Sequence, residues 1–472
     1  MRAKRFIKQN PLTLSYVIVA VIATVLWVMA QPLFNADDSY AQLLRAYVLS
    51  TGGLFEHTIT RAGLHYVVLP APLSRLFWLT RMHFGDAGVF QRAARLHWTS
   101  AQAVMSPSFG PIYPNYVADY GPLNYLPMAF GLWVSRVLNL SLLASYYVAL
   151  ACNDLVIIAV GALAITRARF GRLLLFLIFL LPGTITLMSA PSQDALLIVL
   201  GGLLFAVLSS LATNPPLTMR EYWRLMAAVA ALVLSMSLAR YPYLPLVLLI
   251  LLIPRPGQPG LRARLRSTEV PIALVLLTTI ACFGVTLNYK AMAVVRGVGA
   301  SAQLHWQALH PVTTAWGFIQ VFLHPTMTWV VEVFGNWGWT LSALYPQWIY
   351  VVFLLCVPLM ILALCGDLSV KRHQLLDVDL GGWVAIPLVT FVVLTLALIE
   401  SMYLSWTPIG SARIIGVEGR YFLPLIPTLL LPLYALSGLF RIHSRLSRLS
   451  ALAATGGVFL CFLAATLVTV GI

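Results

Sequence analysis

Two adjacent carboxylates, Asp37 and Asp38, close an apolar stretch that carries no charge from Gln9 to Ala36. Adjacent acids repel each other, and desolvating them costs more still. Their placement therefore calls for a partner, and the chemistry that suits them is general-base catalysis or the anchoring of a substrate. The competing reading is a helix cap for Ser39–Ser50, where Leu43, Leu44, Tyr47 and Val48 recur at helical spacing. A third acid, Asp194, stands in Pro191-Ser192-Gln193-Asp194-Ala195 at a turn between two apolar runs. It reads either as a site acid or as a first-turn acid of the following helix. The cations that could face these acids are Arg240, in Ala239-Arg240-Tyr241-Pro242-Tyr243, and Arg420, in Glu418-Gly419-Arg420-Tyr421. A guanidinium grips a phosphate through two parallel hydrogen bonds, which makes both arginines, with Tyr241 and Tyr421 beside them, candidates for binding a phosphorylated donor. For Arg420 the plain alternative is a pair with Glu418. Arg413 and Lys290 are weaker anion candidates.

Asp154 lies in the middle of a long apolar run. An acid at that position is functional by default or else is paired with a basic residue of a neighbouring helix, such as Arg136 or Arg240. The histidines His57, His65, His83, His97, His305, His310 and His324 fall in predicted loops and match no zinc-binding spacing. No metal site is assigned, and the cofactor is unknown, although the acidic clustering permits a divalent metal. The five cysteines all fall in apolar runs and read as small buried hydrophobes. Trp306, Trp316, Trp329, Trp337, Trp339 and Trp406 read mainly as an aromatic belt, with one or two suited to stacking on a sugar ring.

The elements that must position these groups follow from composition. The chain of 472 residues is 60% hydrophobic and 10% charged, and its mean hydropathy is +0.87. Apolar runs near 20 residues recur from end to end, which excludes a soluble domain and predicts an all-α polytopic membrane protein. The net charge of +15 resides in short loops between apolar runs, so it reports topology and not nucleic-acid binding.

Arg2, Lys4, Arg5 and Lys8 put the N-terminus on the cytoplasmic side. The stretch 121–137 is short and carries Pro122 and Pro127, and counting it as a crossing would turn every later basic cluster outward. The positive-inside rule therefore makes it interfacial or re-entrant. About eleven transmembrane helices result, over about 11–34, 142–166, 173–190, 195–212, 224–239, 241–253, 270–289, 348–365, 380–399, 421–440 and 449–471. They form one transmembrane domain over 1–472, with two long extracytoplasmic loops, 35–141 and 290–347. Residues 297–331 carry no charge but are interrupted by Pro311 and Pro325, and they are assigned to the interface. The runs 224–239 and 241–253 are each shorter than a hydrocarbon core of roughly 30 Å, so their joint at Arg240 should sit below the outer surface, in a funnel.

Several motifs recur together in order: Asp37-Asp38 with Arg45-Ala46-Tyr47 and Thr51-Gly52-Gly53, Asp119-Tyr120-Gly121-Pro122, Ser189 to Asp194, Arg240-Tyr241-Pro242-Tyr243, Phe334-Gly335-Asn336-Trp337, and Gly419-Arg420-Tyr421-Phe422. The set resembles a family of predicted bacterial multi-pass membrane proteins of unassigned function that is grouped with the GT-C glycosyltransferases. That resemblance implies a GT-C-like bundle in the bacterial inner membrane with interfacial helices in the first outer loop. It also implies transfer of a sugar from a polyprenyl-phosphate donor to a glycan, lipid or protein acceptor on the extracytoplasmic side. Carried over, Asp37 or Asp38 is the base, Asp194 a supporting acid, and Arg240 or Arg420 the holder of the departing phosphate. Ser39-Tyr40 follows the acid pair where family members often have proline and histidine, so which aspartate is the base stays open. The rival readings are a transporter or flippase for lipid-linked glycans, and an O-antigen polymerase or ligase type, whose large outer loop comes late in the chain and not first.

Overall fold

The computed structural model describes residues 10–36, 38–54, 58–61, 64–82, 88–98, 102–104, 120–212, 214–257, 268–269, 271–281, 300–323, 332, 351–352, 355–356, 358–359, 380–411, 413–436, 449–450, 453–457, 460 and 464. Asp37, Asp119, Lys290, the motif 334–337 and most of the expected helices 348–365 and 449–471 lie outside the described residues.

Helix α1, Pro11–Ala30, begins with proline at its first turn, where the missing N–H costs nothing. Its Tyr16, Ala20, Ala23 and Trp27 are buried, while Ile18, Ile22, Val25 and Met29 point outward as a lipid-facing stripe. Helix α2, Ser39–Ser50, follows after a sharp corner. At that corner the Phe34 ring packs edge-on against Tyr40, Phe77 and Tyr146 at 5.3–5.8 Å.

The first long loop also contains something hydropathy did not predict. Strands β1 (Thr58–Arg61), β2 (Leu64–Pro70) and β3 (Gln102–Val104) form a three-stranded antiparallel sheet, interrupted by helices α3 (Ala71–Met82) and α4 (Gly88–Ala94). The strands are short, and Leu64–Pro70 is a brief, mostly apolar run that does not stand out in a strongly apolar chain.

Helix α5, Leu126–Val137, has 12 residues and spans about 18 Å, too short for a crossing. It turns back on helix α6, Leu142–Arg167, with Gly131 packed on the backbone of Ala149. Ser141 caps α6 by accepting from the Ala144 N–H at 3.3 Å. The predicted helix 173–190 is two helices, α7 (Arg172–Phe179) and α8 (Pro182–Met188). Pro182 removes the N–H that would continue α7, and Leu181 turns extended before it.

Helix α9, Asp194–Ser209, runs on into a 3-10 turn at Ser210–Ala212. It is the central helix, with 83% of its most apolar window buried. Helix α10, Met219–Ala239, is longer than the predicted 224–239. Thr218 and Glu221 form a reciprocal capping box, so the charged residues Arg220 and Glu221 lie in its first turn and not in loop. The following segment, Tyr241–Leu252, is a 3-10 helix, in which Pro245 removes an N–H that a continuing α-helix would need.

Beyond it lie α11 (Pro271–Ala281), α12 (Ala300–Leu309), α13 (Pro311–Leu323) and α14 (Leu380–Ser405). Helices α12 and α13 break at His310-Pro311, so neither is long enough to cross. The predicted helix 421–440 is instead two 3-10 turns, Gly419–Phe422 and Ile426–Leu429, followed by α15, Leu430–Leu436. Among the described residues five helices are long and apolar enough to span a membrane: Pro11–Ala30, Leu142–Arg167, Asp194–Ala212, Met219–Ala239 and Gly381–Ser405.

Candidate functional site: a buried ion-pair cluster

The corner between α1 and α2, the start of α9, the end of α10 and the turn Gly419–Phe422 meet at one place. Asp38 occupies the N-cap position of α2, yet its side chain makes no cap bond. It accepts instead from Arg420 Nη2 at 2.8 Å. Its backbone is left-handed, with φ 62°, a conformation that a non-glycine residue adopts at a cost. The capping alternative therefore fails for Asp38. Asp37 lies outside the described residues.

Asp194 is the first residue of α9, where the helix dipole favours an acid. Its two oxygens accept from Arg240 Nη2 at 2.8 and 3.0 Å. Arg240 is the C-cap of α10 and is 4% exposed, like Asp194. The guanidinium of Arg240 lies over the Tyr421 ring at 4.1 Å and the Tyr120 ring at 5.6 Å. Arg420 Nε is 2.5 Å from Glu418 Oε2 and 3.7 Å from Asp194 Oδ2. So the sequence-based alternative for Arg420, pairing with Glu418, holds, but as one arm of a larger network. Among the described residues, three carboxylates thus surround the two guanidiniums. Tyr421 joins the halves, its ring also 5.4 Å from the Arg420 guanidinium. Burial pushes the Tyr120 phenol upward against the opposing pull of Arg240, so this hydroxyl is neutral and no base.

Four amide side chains, which the sequence reading did not single out, hold the turn 189–194 in place. Gln31 donates to Ser189 O. Asn153 Nδ2 donates to Ser192 O at 3.2 Å. Gln42 Oε1 accepts from Gln193 N at 2.6 Å, and Gln193 Nε2 donates to Ala239 O at 3.1 Å. The last bond ties the residue before Asp194 to the residue before Arg240. A buried amide in an apolar run was the available signal, because such a group must find partners. Arg45, quoted only as part of a motif, donates to Tyr120 O through Nε at 3.2 Å and Nη2 at 3.0 Å, and to Leu54 O. Gly121 then donates to Leu238 O at 2.7 Å and sits so close that a Cβ would lie 2.8 Å from that oxygen.

Arg420 is delivered by a comparable close approach. A Cβ on Gly201, two turns along α9 from Asp194, would lie 2.0 Å from Pro424 O. Glycine there lets the chain following Arg420 lie on the helix that begins with Asp194. The N–H of Gly419 donates to Glu332 Oε2 at 2.5 Å.

Other expectations end elsewhere. Tyr243, quoted by sequence only within a motif, reaches the cluster, its hydroxyl donating to Tyr421 O at 2.8 Å. Asp154 pairs with neither arginine suggested for it. Arg136 donates to Ser50 O at 3.2 Å and lies over the Tyr47 ring, and Arg240 is engaged by Asp194. Arg413 is exposed on the surface. His310 stacks on Trp306 at 3.7 Å. Among the described residues no group of three His, Cys, Asp or Glu side chains is arranged to hold a metal ion. The space common to Asp38, Asp194 and Glu418 is filled by the Arg420 guanidinium.

The apolar spans and the polar cluster at their meeting point define a helical membrane protein. Its chain belongs to the family described as "Predicted membrane protein (DUF2142)", whose model matches residues 21–429. Comparison with curated proteins and with solved structures gave no match.

Proposed function

We propose that this protein is a membrane glycosyltransferase that moves a sugar from a polyprenyl-phosphate donor to a cell-envelope acceptor, with its site on the extracytoplasmic side of a bacterial inner membrane. The proposal includes the topology of about eleven helices with a cytoplasmic N-terminus. The observation that carries it is the convergence of Asp38, Asp194, Arg240 and Arg420, from four distant segments, into one buried cluster. In an apolar chain such an arrangement of charges is expensive and marks a site of function.

In the proposed step the carboxylate of Asp38, or of Asp37 beside it, takes the proton of the acceptor hydroxyl. The acceptor oxygen forms a bond to the anomeric carbon. The bond from that carbon to the phosphate oxygen breaks, and its electron pair leaves with polyprenyl phosphate. Arg420 balances the charge that grows on this phosphate. Arg240 and Asp194 hold Arg420 in place, and the proton on the aspartate passes to water.

Product analysis in membranes tests the reading. A panel of polyprenyl-phosphate sugars is supplied to wild type and to the Asp37→Asn/Asp38→Asn double variant, and donor loss is followed by mass spectrometry. Donor consumption by wild type alone is the expected result. Normal transfer by the folded double variant would remove the aspartates from the chemistry. Donor that crosses the bilayer unchanged would make the protein a flippase.

A further inference from the structure

The accessible side of the cluster differs from the buried side. The Asp194 and Arg240 side chains are 5% and 4% exposed, whereas Asp38 and Glu418 are 18% and 28% exposed. Both of these outer carboxylates bind Arg420. The candidate base and the candidate phosphate-binding cation are thus bound to each other at 2.8 Å. While it is held in this way, the Asp38 oxygen that meets Arg420 is occupied by the guanidinium. An anion approaching Arg420 meets carboxylates already in place on it.

We infer that ligand binding is an exchange: the phosphate of the incoming lipid takes the places of Asp38 and Glu418 on Arg420, and its arrival releases Asp38 to act as base. This rests on the reading of Arg420 as the phosphate-binding residue. The geometry supports exchange at Arg420 and not at Arg240. Arg240 gives its Nη2 to both oxygens of a buried carboxylate and lies between two tyrosine rings, so an entering phosphate would have to break the better-protected pair. Arg420 is bound by two carboxylates that water can partly solvate once they let go, and phosphate matches the guanidinium fork at least as well as carboxylate does. Asp38 sits at a helix start that its side chain does not cap, so its release from Arg420 costs the helix no cap bond. The base is therefore masked until a donor is present, which suppresses proton removal in an empty site.

The test is the affinity of the full-length protein in detergent micelles for farnesyl phosphate, measured by titration calorimetry. Under exchange the two outer carboxylates compete with the ligand. Asp38→Asn then binds farnesyl phosphate about tenfold more tightly than wild type, Glu418→Gln shifts affinity in the same direction by less, and Arg420→Gln loses binding. Equal or weaker binding by folded Asp38→Asn and folded Glu418→Gln overturns the exchange. Glu418→Gln alone decides if Asp38→Asn does not fold. The outcome is independent of transfer: tighter binding by these variants with no donor consumed by wild type would keep the exchange and reject the glycosyltransferase. Donor consumption without tighter binding would do the reverse.

Discussion

The two arginines of the cluster carry the same charge and lie side by side, yet they are held in opposite ways. Arg240 bonds one carboxylate, Asp194, in a deeply buried pair, and lies over two tyrosine rings. Arg420 is shared among three carboxylates, Asp194 included, and the other two are partly open to solvent. A pair buried on both sides is costly to open, because either member alone is an uncompensated charge in an apolar interior. A shared, partly hydrated pair is cheap to rearrange. The comparison separates a fixed half that positions from a labile half that can exchange, and it turns equal candidates by sequence into unequal ones.

The largest effect that would break this comparison is expected at Asp194. Asp194→Asn leaves Arg240 without a counter-charge and should destabilise the protein by about 3–5 kcal/mol, read as a fall in thermal midpoint in detergent. The double variant Asp194→Leu/Arg240→Met should recover most of that loss, and a strictly additive outcome would contradict direct coupling between the two. Next comes Gly201→Val, which drives a side chain into Pro424 O and should cost about 1–3 kcal/mol while displacing Arg420. Gln42→Leu should cost about 1–3 kcal/mol by leaving the Gln193 N–H buried without its acceptor, and it should lower transfer although Gln42 touches no charged group of the cluster in the bonds described. The smallest change in stability, under about 1 kcal/mol, is expected for Asp38→Asn, together with loss of transfer. A strong destabilisation there would place Asp38 in the fixed half instead.

The fold was legible in outline. Runs such as 142–166 and 380–399 are so apolar that only membrane spans account for them, and their observed limits, Leu142–Arg167 and Leu380–Ser405, fall within a few residues of those expected at most ends. The errors lie where proline or charge disturbs a hydropathy window. Pro182 splits one expected helix, Pro245 interrupts another that forms a 3-10 segment, and α10 extends over the charged Arg220 and Glu221 beyond the expected start. The sheet β1–β3 escapes a hydropathy reading for a related reason, since strands of three to seven residues carry little weight beside long apolar runs.

For the site, the sequence by itself determined the membrane class and the short list of charged residues, because charge in an apolar chain is rare enough to stand out. It could not say which acid meets which arginine, since Asp38 and Arg420 lie 382 residues apart and come together only when α1, α9 and α10 pack. Nor could it reveal that Gln31, Gln42, Asn153 and Gln193 hold the central turn. An amide has no charge to advertise it, and its role depends on which backbone groups the packing leaves in need of a partner. Tertiary structure made those assignments, and with them the division between the fixed arginine and the exchangeable one.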